Sequence, residues 1–252
     1  MALTGLQIYK LLPKTNCKEC GLPTCLAFAM KLSAKQAQLS ACPYVSEASK
    51  QQLEAASQPP VRLITLSTDG RKAEAGNEIV LFRHEKTFYH AAPLFVRLKD
   101  TDAPDKIAAR AKELDAFNVD YVGIKLHLDG LAIENASGDA AKFAAAVEAV
   151  RGATNFPLIL IAKDAAAFEA ALAKVNGAVT LLYAADASNV TALAAVAKKF
   201  KAALAVKGDG TLESIVNLAE QAKAAGAEDL VLDPGARGFL DTLTLATQIR
   251  RL

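Results

Sequence analysis

Four cysteines carry the one spacing in this chain that specifies a chemistry. Cys17, Cys20, Cys25 and Cys42 follow the pattern C-x2-C-x4-C-x16-C-P, and the chain holds no others. Two thiolates on a tight loop, a third about one turn on and a distant fourth ahead of Pro43 can close around one metal cluster. Gly21, directly behind Cys20, frees the backbone to curl and to turn amide N–H groups toward sulfur, a contact that tunes iron–sulfur clusters. The spacing points to a 4Fe–4S cluster, with a structural zinc site as the alternative; zinc more often takes two C-x2-C pairs. The N-terminus has no basic region followed by a long apolar stretch, so no secretory leader is read and a cytoplasmic location is expected. In such a reducing compartment clustered cysteines serve metals more often than disulfides.

Other candidates are weaker. Lys125-Leu-His127-Leu-Asp129-Gly130 half-matches a D-x-H-x-x-G cobalamin-ligand motif. Lys125, however, stands where a hydrogen-bond acceptor for the histidine is required, so His127 reads as an ordinary loop residue. Polar residues gather where strands are expected to end: Lys125, Lys163, Asp164, Asp186, Lys207, Asp209 and Asp233. α/β folds place sites on that face, but polar loop residues are expected on any sheet and Asp164 doubles as a helix cap. Gly208-Asp-Gly210 lacks the third glycine of a dinucleotide loop. Arg83, His84, Tyr89 and His90 form a polar–aromatic group suited to seating one domain on another. No Ser/His/Asp arrangement or paired carboxylate is present, which leaves no catalytic residue to name.

The elements that must position the cysteines are short helices. Thr4 with Gln7 forms a capping box, Ile8, Leu11 and Leu12 give an apolar face, and Pro13 stops the run. Residues 26–38 are rich in helix formers, and Ser46 can cap a further helix through Leu53. Ala56-Ser-Gln-Pro-Pro60 then breaks the pattern. Six lysines (10, 14, 18, 31, 35 and 50) face only Glu19 and Glu47 in this part, a local excess of +4 in a chain whose net charge is +2. Those lysines could offset an anionic cluster, although a solvated basic surface explains them as well. The near balance of 29 basic and 27 acidic residues argues against a general nucleic-acid binder. The 52% hydrophobic content argues against disorder, and no apolar run is long enough for a membrane helix.

The organisation expected is a cluster domain at 1–57, a linker with a β-hairpin at 58–93, and a strand–helix domain at 94–252. The hairpin is placed at 61–66 and 79–82 around Asp69-Gly70. Apolar strands are expected at 94–98, 121–126, 158–162, 179–183, 204–207 and 230–232. Helices follow near 104–116, 140–151, 165–175, 189–201, 212–225 and 240–251, with Asp164, Ser188 and Thr211 as caps. Apolar strands alternating with Ala-rich helices mean a parallel sheet covered by helices, an α/β fold. Six units are visible where a closed barrel needs eight. The sheet is therefore either open and doubly wound or a TIM-like (β/α) barrel truncated after about six units.

LTGLQIYKLLPKTNCKECGLPTCLAFAMKL, with CPYVS after it, resembles the N-terminus of the large (gamma) subunit of corrinoid iron–sulfur proteins, which serve the acetyl-CoA pathway of carbon fixation. The resemblance continues through GNEIVLFRHEKTFYH (76–90), LLYAA (181–185) and LVLDPGAR (230–237) to TQIRRL (247–252), and so covers essentially the whole chain. It implies that Cys17, Cys20, Cys25 and Cys42 ligate the cluster, ahead of a TIM barrel and a C-terminal cobalamin domain. Against that plan this chain lacks the last two βα units and the cobalamin domain, so it is expected to carry electrons without holding cobalamin. The implied role is a methyl carrier rather than a stand-alone catalyst. Cobalamin takes a methyl group from methyltetrahydrofolate or another methyl-pterin through a methyltransferase and passes it to acetyl-CoA synthase, while the cluster returns the electron that restores oxidised cobalt. Implied partners are the small subunit, that methyltransferase, acetyl-CoA synthase and a reductive activator. Two rivals remain: a stand-alone electron-transfer module, and a barrel enzyme with a structural cluster.

Overall fold

A computed structural model of the chain describes residues 4–34, 36–57, 61–77, 90–175 and 177–250. It divides into two compact units, residues 1–60 and 61–252.

The first unit is helical. α1 (Gly5–Leu11) opens with the expected capping box: Gln7 N donates to Thr4 Oγ1 and Thr4 N donates to Gln7 Oε1 at 2.9 Å. α2 (Cys25–Ser33) is capped by Thr24, which accepts from Ala27 N at 3.1 Å. It ends well short of residue 38, because Ser33 Oγ bonds back to Met30 O and Gln36 N closes a wide turn onto Lys31 O. A 3-10 turn (Leu39–Ala41) precedes Cys42, and α3 (Glu47–Ser57) follows Ser46, whose hydroxyl accepts from Ser49 N. Ile8, Leu12, Cys25, Phe28, Ala29 and Leu53 form the small core.

The second unit opens with an antiparallel hairpin, β1 (Ile64–Thr68) and β2 (Arg71–Ala75), turning at Asp69-Gly70. The sequence places the second strand at 79–82, which lie outside the described residues. β2 reads Arg-Lys-Ala-Glu-Ala and buries only Ala73, so hydropathy does not reveal it. Strands and helices then alternate: β3 (Phe95–Lys99), α4 (Pro104–Asp115), β4 (Asn118–Tyr121), β5 (Ile124–His127), β6 (Gly130–Glu134), α5 (Ala140–Ala153), β7 (Leu158–Ile161), α6 (Ala165–Leu172), β8 (Leu181–Ala185), α7 (Val190–Phe200), β9 (Ala203–Lys207), α8 (Leu212–Ala224), β10 (Leu230–Asp233) and α9 (Phe239–Ile249).

Six strands form one parallel sheet in the order β3-β6-β7-β8-β9-β10, the order of the chain. A doubly wound sheet reverses its order at a switch point; this one does not, and that alternative falls. The winding is consistent with a TIM-like fold, with β3 and β10 as the sheet edges among the described residues. One face carries Leu131, Ile133, Leu158, Leu160, Leu182, Leu204 and Val206, buried against α4 to α8 in a single core. The other face carries Leu181, Ala203 and Ala205, which pack with Ile64, Leu66 and Ala73 of the β1–β2 hairpin. Ser67 bridges Val179, Thr68 Oγ1 donates to Asn155 O, and Arg62 pairs with Asp229 at 2.8 Å. Each of these partners precedes a strand, so the hairpin is tied to the N-terminal end of the sheet.

The strand expected at 121–126 is a correction. Those residues straddle the separate antiparallel hairpin β4–β5, which pairs with nothing else among the described strands. The sheet strand is β6, starting at Gly130, where a side chain would collide with Phe95 and the Pro157 carbonyl. Two caps are also corrected. Asp164 occupies the N-cap of α6 without a side-chain bond, and α7 begins behind Asn189 rather than Ser188. Thr211 does cap α8, accepting from Ser214 N at 3.2 Å.

Phe143 on α5 is fully buried in the main core. Phe143→Ala is expected to destabilise the second unit by about 3–5 kcal/mol, read as a lower urea midpoint at constant slope. Phe239→Ala, at an exposed position, is expected to stay within about 0.5 kcal/mol of the parent.

Candidate functional site

All four cysteines are free thiols; Cys17 is exposed, Cys20 and Cys42 are half-buried, and Cys25 is buried. Cys25 opens α2, and its amide donates to Asn16 Oδ1 at 2.8 Å. This bond ties the cysteine loop to the helix. Cys42 sits at the C-cap of the 3-10 turn. Cys20, Cys25 and Cys42 belong to the same apolar cluster. Between α1 and α2 the backbone curls through left-handed residues at Lys14, Asn16, Lys18 and Gly21. Gly21 and Asn16 adopt this conformation readily, whereas Lys14 and Lys18 each cost about 1–2 kcal/mol. Concave runs of this kind turn amides inward toward anions.

Tyr44 joins this loop. Its hydroxyl donates to Glu19 Oε1 at 2.8 Å. That bond and the Glu19 charge hold the phenol above its usual pKa, with smaller contributions from burial, Cys17 and Cys42. Tyr44 thus lies within electrostatic reach of the first and last cysteines. Sequence reasoning missed it, since a lone tyrosine after Cys-Pro carries no spacing signal.

The donor set fits an iron–sulfur cluster: four free thiols, with no histidine anywhere in residues 1–60. Among the described residues no group of three or more His, Cys, Asp or Glu side chains is arranged to hold a single metal ion. A four-iron cluster spreads its four thiolates over separate irons and does not require three of them to meet at one ion.

The strand ends tell a different story. Asp186, Asp209 and Asp233 each accept the amide two residues on, from Ser188, Thr211 and Gly235 at 2.8, 3.0 and 2.9 Å. Asp100 at the end of β3 likewise takes the amides of Ala136 and Ser137. These carboxylates fold their own loops. Hydrogen bonds from Ser188 hold the Asp186 carboxyl below its usual pKa, with Lys163 and Lys207 adding to the effect. Gly208 N and Gly210 N donate to the carbonyls of Asp233 and Pro234 at 2.8 and 2.9 Å, so this loop has no amides left for a phosphate. Asp164 only starts α6, and the Lys163 carbonyl accepts from Asn189.

Lys125 and His127 are a further correction. Both lie on the exposed β5, outside the parallel sheet; His127 pairs with Asn118 across the hairpin and lies 3.7 Å from Asp129. His90 lies 3.9 Å from Glu74; Arg83, His84 and Tyr89 lie outside the described residues. A cavity of about 410 Å³ lies beside the β1–β2 turn, lined by Arg71, Asp115, Arg151 and Asn155 among others. Burial lowers Arg151 there to about 10. The turn residues Asp69 and Gly70 line it too, but none of the candidate site residues read from the sequence does.

One polar network unites distant residues. Asp233 accepts from Tyr183 OH at 2.6 Å and from both Arg237 terminal nitrogens at 2.9 and 3.0 Å. Burial would raise this carboxyl, but Arg237, Tyr183 and the Gly235 amide outweigh it and bring it down to about 2. The sequence offered Asp233 as a strand-end acid but gave no sign of its partners.

With this geometry in hand, comparison with known proteins identifies the chain. Residues 63–252 match the family model CdhD, described as "CO dehydrogenase/acetyl-CoA synthase delta subunit". The chain belongs to this family. A second model, "Putative Fe-S cluster", matches residues 12–44, the stretch that holds all four cysteines. The chain is 43% identical over its full length to the corrinoid/iron-sulfur protein large subunit of Moorella thermoacetica, covering 56% of that protein. It is 35% identical, over 99% of its length, to the acetyl-CoA decarbonylase/synthase complex subunit gamma of Methanocaldococcus jannaschii, covering 52% of it. The gamma subunit of Methanothermobacter thermautotrophicus is 36% identical over the full chain, with 56% of it covered. The chain thus spans about half the length of the curated relatives it matches. Among the described residues no helix is long and apolar enough to cross a membrane.

A carboxyl whose folded pKa lies below its unfolded value of about 3.9 stabilises the fold above that value and loses the contribution as pH falls toward 2. Arg237 is exposed, so screening limits the effect to about 1 kcal/mol. Asp233→Asn is expected to flatten the loss of stability between pH 5 and 2 by about that amount, measured by urea melts. An unchanged pH profile would mean that the network adds nothing.

Proposed function

We propose that this chain is the cluster-bearing half of the large subunit of a corrinoid iron–sulfur methyl carrier. The carrying observation is the confinement of four free thiols to one small unit, within the stretch that matches the Fe–S model. Cys17, Cys20, Cys25 and Cys42 would hold a 4Fe–4S cluster. When bound, such a cluster supplies one-electron transfer at low potential.

The chain's own residues would prepare that site in three ways. Asn16 anchors the Cys25 amide and so fixes the third ligand relative to the loop of the first two. The left-handed residues from Lys14 to Gly21 give the loop its curl, which Gly21 N closes by donating to Lys18 O at 2.9 Å. Lys10, Lys14, Lys18 and Lys31 lie in the same unit and would offset part of the charge of a cluster that its four thiolates leave anionic.

In this reading the second unit is scaffold. Its uninterrupted winding would continue into further βα units that close a barrel, and the corrinoid would be held by a domain outside this chain. The complete protein would carry a methyl group from a methyl-pterin methyltransferase to acetyl-CoA synthase. The cluster would serve reductive reactivation of cobalt, with electrons from a reductive activator, rather than each turnover. The small subunit of the carrier would be its standing partner, and the cytoplasm its compartment. The relatives' names and the full-length match support this assignment.

Anaerobically purified protein is expected to hold about four iron and four acid-labile sulfide per chain, with an EPR signal after dithionite reduction. One zinc and no sulfide would make the unit structural and end the electron-transfer reading. Cys20→Ala is expected to lose the signal while the far-UV CD of residues 61–252 persists, and in the complete carrier to abolish reductive activation. A variant reactivated as fast as the parent would remove the relay role.

A further inference from the structure

The bond from Tyr44 to Glu19 draws the two ends of the cysteine region together. It spans 25 residues at 2.8 Å. Glu19 stands between Cys17 and Cys20, and Tyr44 follows Cys42 and Pro43. The bond therefore joins the segment of the first two cysteines to that of the fourth. Asn16 ties the third to the same loop through the Cys25 amide. Tyr44 is 52% accessible, and an exposed hydrogen bond adds little net stability, since water competes for both partners. What the bond does fix is the place of a carboxylate.

The choice of partner is a second sign. Residues 1–50 hold six lysines and only two glutamates, yet Glu19 takes a neutral phenol, and among the described residues no lysine pairs with it. Lys14, five residues away, instead rests over the Tyr9 ring at 5.7 Å. A phenol orients the carboxylate and leaves its charge in place, whereas an ammonium would cancel it. The phenol lies within electrostatic reach of Cys17 and Cys42, and the carboxylate bonded to it shares that neighbourhood.

Reduction adds one electron to a four-thiolate cluster that is already anionic. A fixed negative charge nearby opposes that electron by Coulomb repulsion, which makes the cluster harder to reduce and, once reduced, a stronger donor. Resting on the cluster reading above, we propose that Tyr44 is a positioning residue that holds the Glu19 carboxylate against the cysteine loop, where its charge lowers the reduction potential of the bound cluster.

The test is an anaerobic potentiometric titration of the 252-residue chain with dithionite as reductant, followed by EPR of the reduced cluster. Iron and sulfide are assayed on each sample. Glu19→Gln keeps an acceptor for Tyr44 and removes the charge. It is expected to raise the reduced-to-oxidised ratio at fixed potential by about three- to tenfold, tenfold being about 59 mV for one electron. The difference from the parent should shrink at high salt, because the charge is exposed to screening. Tyr44→Phe keeps the ring and frees the carboxylate, so a smaller rise of about two- to threefold is expected. In the Glu19→Gln background the same change should move the potential no further, since the hydroxyl acts through the charge.

An unmoved potential in Glu19→Gln overturns the proposal. So does a Tyr44→Phe shift that persists in the double variant, or a Glu19→Gln shift that salt does not touch. A Tyr44→Phe protein that loads no cluster makes the tyrosine structural and overturns its positioning role. Cluster-loaded variants at the parent potential leave the cluster reading standing, whereas one zinc and no sulfide in the parent overturns both.

Discussion

A parallel sheet has two apolar faces, and each must be kept from water. The rest of the second unit depends on how that is achieved. On one side the strands offer Leu131, Ile133, Leu158, Leu160, Leu182, Leu204 and Val206 to the helix layer. On the other, alanines at 203 and 205 leave room for Ile64 and Leu66 of the β1–β2 hairpin. The division follows from the sheet order. With no reversal of winding, every helix returns on one side and leaves the other face for a different kind of cover. Because the hairpin is tied at Asn155, Val179 and Asp229, it closes the N-terminal end, and the loops at the opposite end organise themselves.

They do so by a repeated device. Strand-end carboxylates at 186, 209 and 233 each take the amide two residues later, which turns the chain toward the following helix. A row of acids at the strand ends reads from sequence as a possible site. In the structure it is a row of turns. Asp233 goes further and gathers Tyr183 and Arg237 across the width of β9, but all its acceptor positions are then occupied within the chain.

The parallel units were legible because each strand is a short apolar run and each helix is Ala-rich, so period and composition agree. Five of the six sheet strands lie within two residues of where hydropathy puts them. The sixth failed for a physical reason. Residues 121–126 hold a single charged side chain and read as an apolar strand, yet the alternation across Val122-Gly123 is that of a hairpin, with no Asn or Asp at the two turn positions to announce it. Hydropathy reports what needs covering and not what covers it. The same limit hid β2, whose polar sequence is held by pairing with β1. In the cysteine unit the spacing singled out the four cysteines, but nothing in the residue types foretold left-handed backbone at Lys14 and Lys18 in the loop that leads to α2.

The two units differ in where their polar groups go. In the second, strand-end acids and glycine-loop amides are spent on the fold itself, so strong hydrogen bonding there reflects self-organisation. In the first, a core of six buried side chains supports a loop with two strained lysines and four free thiols. So small a core leaves little stability in reserve, while each left-handed lysine draws about 1–2 kcal/mol from it. Such a loop is better explained by a group that binds the folded form and stabilises it in proportion to its affinity than by its own packing. In the proposed reading the chemistry of this chain is concentrated where its apolar core is smallest.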